Sequence, residues 1–275
     1  MSGDRAIMLA IALSAIAGAV YLALGIFLGV RLYRGIQSNA GKTMLLALGP
    51  VALALHAVVL YHNIITPLGV NFSFFNSLSL LFWLIMLLLV VAVLREPVEN
   101  LGVVLLPLAG LSVILEQSFP AHRVLNEAEA IKLEGHIAIS ILAYSILTIA
   151  AVQAVLLAIQ NKQLHDRRSL GFVRALPPLE TMETLMFQML KLGFFLQTLS
   201  LITGMLFLHN MFAQHLAHKI ILSVVAWLVY AILLWGRWRH GWRGKTAIRW
   251  TLSGFVSLLL AYFGSKLVLE FILGR

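Results

Sequence analysis

The sequence predicts an all-α fold: a polytopic bundle of about eight transmembrane helices with both termini facing outward, toward the periplasm of a bacterium. Three observations carry this reading. The 275-residue chain is 61% hydrophobic and only 11% charged, whereas a soluble domain of this size needs roughly 25% charged residues to cover its surface. Its apolar residues gather into runs of about 17 to 25, the length at which a helix crosses roughly 30 Å of hydrocarbon. Most of its 20 lysines and arginines fall outside those runs, mainly on alternate connections, as they do when loop charge orients a membrane protein.

The first span covers residues 6–30. Its apolar run exceeds the roughly 7 to 15 residues of a signal-peptide core, so it is expected to stay in the membrane. Gly18, Gly25 and Gly29 along it leave room for a close-packed neighbouring helix. The second span, 43–61, contains Pro50, and the fourth, 101–116, contains Pro107. Each proline frees a backbone carbonyl, so both helices are expected to kink where neighbours cover them. The third span, 73–94, separates them. The fifth, 133–159, opens with LEGHIAISILAY and so sets His136 just inside its outer end. The sixth, seventh and eighth spans are read at 185–208, 219–236 and 248–272. Trp235, Trp238, Trp242 and Trp250 flank the 237–247 connection, matching an aromatic belt at the membrane interface. The segment EQSFPAHRVLNEAEAIK, 116–132, is expected to include a short interfacial helix. No repeat, low-complexity tract or soluble domain interrupts the pattern, so residues 1–275 are read as a single transmembrane domain.

With eight spans, the loops 31–42, 95–100, 160–184 and 237–247 share one side. That side holds fourteen lysines and arginines, counting Lys191 and Arg249 near it, against six on the other: Arg5, Arg123, Lys132, Lys219, Lys266 and Arg275. The basic side is expected to be cytoplasmic. Placement of the +9 net charge in short loops argues against nucleic acid as a partner. There is no cysteine, which removes disulfides and thiolate metal sites. No phosphate loop, dinucleotide fingerprint or nucleophile–base pair is visible, so no enzymatic activity is expected.

This orientation sorts the nine histidines unevenly. His165 and His240 fall on the basic side, whereas His62, His122, His136, His209, His215 and His218 fall at or near the outer surface, with His56 slightly deeper. Outer-loop histidines are commonly just interfacial polar residues, the reading taken for His122, His215 and His218. His62 is read as capping the second span, and His56 as available for a hydrogen bond across helices. Neutral imidazole is also the usual protein ligand of heme iron, and two such ligands make a six-coordinate site. His136 at the start of the fifth span and His209 at the end of the sixth lie at one depth on different helices. They are the leading candidates for axial ligands, with His56 on the second span as a third. Zinc is less well served: there is no HExxH, and His215 and His218 lack a nearby acidic partner.

The segment LEGHIAISILAYSILTIAAVQAVLLAIQ resembles the fifth-span segment of the CcsA/CcmC/ResC cytochrome c assembly family. AWLVYAILLWGRWRHGWRGKTAIRWTLSGFVSLLLAYFGSK resembles that family's carboxy-terminal stretch, with its GWRG loop and YFG element. LPPLETMETLMFQ and TGMLFLHNMF narrow the likeness to the YpjD-type inner-membrane branch. The resemblance is strong from about residue 130 onward and looser before it. It implies a multi-pass protein of the bacterial inner membrane that holds b-type heme near its outer face, with His136 in the place of a family heme histidine. It also implies partners among membrane or cytochrome-maturation proteins, besides lipid and heme themselves.

Departures from the family pattern bear on transfer of heme. The tryptophan-rich outer segment between the sixth and seventh spans reads FLHNMFAQHLAHKIILSVVAW here, with only Trp227 remaining. The last span, ending KLVLEFILGR, lacks the expected external histidine, and a further family histidine is replaced near Trp235. Two readings follow. One is a heme-binding or heme-handling protein without catalysis of its own, holding heme b between the outer ends of the second, fifth and sixth spans. The other is a HemX-like membrane scaffold or regulator that kept the fold and lost heme transfer. A transporter is disfavoured, because no paired midplane carboxylates or broken helices occur in matching halves.

Overall fold

The computed structural model describes residues 2–36, 38–66, 69–119, 124–125, 127–166, 173, 175–207 and 217–264. Among them are eight helices long and apolar enough to cross a membrane, in register with the eight spans expected from the sequence. They are α1 (Ser2–Arg34), α2 (Ala40–Ile64), α3 (Phe74–Val93), α4 (Gly102–Ser118), α5 (Glu127–His165), α6 (Leu179–Phe207), α7 (Ala217–His240) and α8 (Gly244–Leu259). A 3-10 turn, Glu99–Leu101, leads into α4, and a π-helical turn, Leu260–Gly264, continues α8. The chain packs as two compact units: Met1–Glu127 with Lys162–Pro177, and Ala128–Asn161 with Pro178–Arg275.

In the first unit α1 lies against α2 and α4, and α3 against the same two helices. Lipid tails are as apolar as leucine, so helices in a bilayer gain little from hydrophobic burial and associate through close packing and polar contacts. Backbone proximity between α1 and α4 supplies the first of these. A Cβ at Gly25 would stand 2.7 Å from Pro107 Cδ, and one at Gly18 would stand 2.9 Å from Ile114. Gly29 is less constrained, its nearest neighbour lying at 3.7 Å, an ordinary contact. Both α2 and α4 run through their prolines without interruption. Large apolar side chains such as Ile26 remain exposed on the outside of the helices, as expected where the solvent is lipid.

A small antiparallel sheet closes the end of this unit near α2's C-terminus. Strand β1 (Ile65–Thr66) pairs with β2 (Gly69–Asn71), which pairs with β3 (Val124–Leu125). The sheet corrects the expectation for 116–132. Where that segment is described beyond α4, it forms a strand and then the first turn of α5, not a separate interfacial helix. Backbone pairing with β2 satisfies its N–H and C=O groups as a lone turn of helix would not.

In the second unit α7 packs against α6 and α8. At its arginine-rich end the GWRG element forms a tight turn, with Gly241 at φ +65° and Gly244 at φ +54°, a left-handed backbone that favours glycine. Glu183 on α6 anchors this turn. Its carboxylate accepts from Arg237 Nη1 at 2.8 Å, Arg243 Nε at 3.1 Å and the Gly244 backbone N–H at 3.1 Å. The tryptophans divide in role. Trp235 and Trp238 are exposed as an interfacial belt requires, whereas Trp242 and Trp250 stack obliquely on each other, ring centres 5.5 Å apart.

Candidate functional site

His136 sits on α5 about two and a half turns after the helix begins at Glu127, taking 3.6 residues per turn. The imidazole is therefore held by continuous helix on both sides instead of standing at a helix mouth. α6 presents a short run of small polar residues to it. Nδ1 of His136 lies 3.1 Å from Thr203 Oγ1. One turn further along α5, Ser140 Oγ lies 2.7 Å from Ser200 Oγ and donates to the His136 carbonyl at 2.6 Å. Hydroxyl pairs of this kind hold membrane helices together where lipid offers no alternative partner.

The hydroxyl network accommodates a ring protonated on Nδ1. Thr203 Oγ1 is 2.9 Å from the Leu199 carbonyl and 3.1 Å from that of Ser200, both on its own helix and both able to accept its proton. With the proton there, Thr203 Oγ1 can accept from Nδ1–H of His136, the tautomer that leaves the lone pair on Nε2. A metal-ligating histidine is commonly oriented in this manner, by a hydrogen bond from its other ring nitrogen. Gly204 completes the cradle: a Cβ there would come within 3.1 Å of the His136 ring carbon Cε1. The side chain is half-buried. The donor chemistry of His136 fits an axial ligand to heme iron.

His56 on α2 occupies a different environment, in the first unit. It is fully buried, with Nε2 2.8 Å from Ser79 Oγ on α3 and its ring edge-on to Tyr21, centroids 5.8 Å apart. Among the described residues its Nδ1 has no hydrogen-bond partner. Around it lies a buried polar network that sequence reasoning did not find. Asn63 Nδ2 donates to Glu116 Oε1 at 3.1 Å and to Gln117 Oε1 at 3.4 Å. Asn76 Nδ2 donates to the backbone carbonyls of Asn63 and Asn71 at 3.1 and 3.2 Å. Asn76, Ser79 and Glu116 are all buried. Their signal in the sequence was polarity inside apolar runs, FNSLS in α3 and Glu116 at the end of α4, but nothing there indicated that they meet.

His209, the second ligand candidate, lies outside the described residues, as do His122 and His215. His62 is exposed at the end of α2, where its ring meets Tyr61 edge-on. His165 and His240 are also exposed. Among the described residues no group of three or more His, Cys, Asp or Glu side chains could hold a metal ion by itself.

Comparison with known proteins adds three kinds of likeness. The family profile described as Cytochrome C assembly protein matches residues 44–273. Inner membrane protein YpjD of Escherichia coli strain K12 is 34% identical over 244 residues, covering 86% of this chain and 91% of that protein. Protein HemX of Brevibacillus brevis is 24% identical over 131 residues, 47% of this chain and 48% of its own. Cytochrome c biogenesis protein CcsA of Prochlorococcus marinus strain NATL1A is 27% identical over 111 residues, 40% of this chain and 34% of that one. No solved structure matches the chain.

Proposed function

Since the chain belongs to the cytochrome c assembly protein family and is a multi-pass protein of the inner membrane, we propose that it binds heme near its outer face without catalysing a reaction of its own. Family membership, with CcsA and HemX among the relatives, supports a heme-related function. The observation that carries the finer reading is the oriented imidazole of His136. With Nδ1–H donating to Thr203, Nε2 would keep its lone pair for iron, and Gly204 leaves the ring room. His136 would supply one axial ligand and His209 the second, both from the second unit. Bound heme b would contribute an iron with two imidazole ligands. His136 would bind it and Thr203 would orient the ring. His56 is the weaker candidate, because its fully buried ring already shares a hydrogen bond with Ser79.

A second reading has one observation in its favour. The segment between α6 and α7 lacks the tryptophans that heme-transferring relatives are expected to carry, which suits a HemX-like scaffold or regulator with no cofactor. Visible spectra separate the two. Protein purified from heme-replete cells is expected to show a Soret band that weakens in both His136→Ala and His209→Ala. Stoichiometric heme unaffected by either substitution would sink the ligand pair, and absence of heme from correctly folded wild type would favour the scaffold.

A further inference from the structure

The arginine-rich end of the first unit contains a cavity of about 460 Å³ that the heme reading leaves without a role. Three connections converge on it: the α1–α2 turn with Arg31, Ile36, Ser38 and Asn39, the 3-10 turn before α4 with Glu99 and Asn100, and Ala175. Asn100 Nδ2 ties the last two together by donating to the Ala175 carbonyl at 3.2 Å. Sequence charge had assigned all three connections to one side of the membrane.

Two opposite charges line this cavity incompletely paired. Arg31 Nη2 donates to the Ile36 carbonyl at 3.4 Å, to Ser38 Oγ at 3.3 Å and to the Ser38 carbonyl. Those acceptors are neutral and the Phe27 ring lies 5.9 Å from the guanidinium carbon, while the buried Nε has no acceptor among the described residues. Glu99 Oε2 is likewise buried, with no donor among the described residues. Both side chains are half-buried as a whole, yet a polar atom shielded from water without a partner is costly, and two of opposite sign around one cavity suit a ligand bearing both signs. The cavity falls within the roughly 300–1,000 Å³ of small-molecule sites and far exceeds the ~30 Å³ of one bridging water. The start of α2 reinforces the anionic end. Asn39 makes no side-chain cap and the first turn holds no acidic residue, so the helix's positive end is unneutralised.

We propose that this cavity is a headgroup site for an ethanolamine phospholipid. Arg31 and the amino end of α2 take the phosphodiester, and Glu99 takes the ammonium. Basic pockets at the ends of membrane helices are suited to lipid headgroups, and Glu99 adds a selection that a purely basic pocket lacks. A primary ammonium donates charge-assisted hydrogen bonds to a carboxylate, whereas the trimethylammonium of choline cannot.

The test uses the full chain in mild detergent. It is mixed with phosphatidylethanolamine, phosphatidylcholine or phosphatidylglycerol of identical acyl chains, and bound lipid is counted by native mass spectrometry. Wild type is expected to retain the ethanolamine lipid about tenfold better than the choline lipid, the size of one good charge-assisted contact. Glu99→Gln is expected to bring the two to near parity while leaving phosphatidylglycerol unchanged. Arg31→Gln is expected to weaken all three. Because Arg31 also ties down the α1–α2 turn, thermal unfolding accompanies that variant; Glu99 makes none of those bonds, so its result stands even if Arg31→Gln fails to fold. Equal retention of ethanolamine and choline lipids by wild type, or an unchanged preference in Glu99→Gln, overturns the site. Displacement of the lipid by an equal concentration of O-phosphoethanolamine would overturn the lipid as the source while retaining the zwitterion chemistry.

Discussion

Two buried or half-buried histidines, one in each unit, show how the same side chain is put to different use. His56 is fully enclosed, bonded to Ser79 and edge-on to Tyr21, within a network that also contains Glu116, Asn63 and Asn76. His136 is half-buried, held through Nδ1 by Thr203, with its ring over Gly204. The first arrangement encloses an imidazole between helices; the second leaves part of the ring accessible. His56 was legible as the deeper of the two, but not the partner that either ring meets. What differs is which ring nitrogen is engaged and how far the ring is enclosed.

The largest effect expected from this contrast is on stability at His56. His56→Ala removes a fully buried ring and its bond to Ser79, a cost of about 3 kcal/mol from the cavity and the lost bond. Denaturant titration in detergent should show it, while heme per folded molecule stays at the wild-type level. His136→Ala should do the reverse, costing under about 1 kcal/mol because half the ring is already solvated, yet losing the Soret band. A larger stability loss at His136 than at His56 would break the comparison.

Next in size is Glu116. Glu116→Leu leaves the half-buried Asn63 amide without its nearer acceptor and should destabilise by about 2 kcal/mol. Glu116→Gln keeps an acceptor oxygen at that position and should cost less than about 1 kcal/mol. Equal effects from the two would show that the carboxylate's charge, not its hydrogen bond to Asn63, is what the network needs.

Smaller effects sharpen the account of His136. Thr203→Val removes the acceptor for Nδ1–H and should weaken heme retention about tenfold, the lower end for loss of an orienting partner. Unfolding of the apoprotein should move little, and a Thr203→Ser variant should restore retention; failure of serine to rescue would detach the hydroxyl from the ring's orientation. Gly204→Ala places a methyl 3.1 Å from Cε1. The crowding should cost up to about 1 kcal/mol and shift the Soret maximum by tilting the ring, whereas an unaltered spectrum would mean the cradle does not set ring position.

Much of this molecule was legible from residue order. Hydropathy alone located all eight spans, because a bilayer requires each crossing segment to satisfy its own backbone in a helix and to be apolar over a fixed length. Gly18 and Gly25 were readable as packing positions for a related reason, since helices in lipid meet where side chains are smallest. His136 stood out because an ionisable group inside an apolar run is expensive to keep without a purpose.

The contacts that give those residues their roles were not legible. Ser200, Thr203 and Gly204 lie more than sixty residues from His136, and hydroxyls scattered along a span look alike until the rotation and register of α6 are known. The same holds for Glu116 and Asn63, which meet across α4 and α2, for β3 appearing where a short helix was expected, and for Arg31 and Glu99 lining one cavity. Composition and periodicity determined that this chain has eight segments long and apolar enough to cross the membrane, because that property depends on each segment and its solvent. Tertiary structure alone decided how each imidazole is held, because that depends on the helix packed beside it and on which of that helix's groups reach the ring.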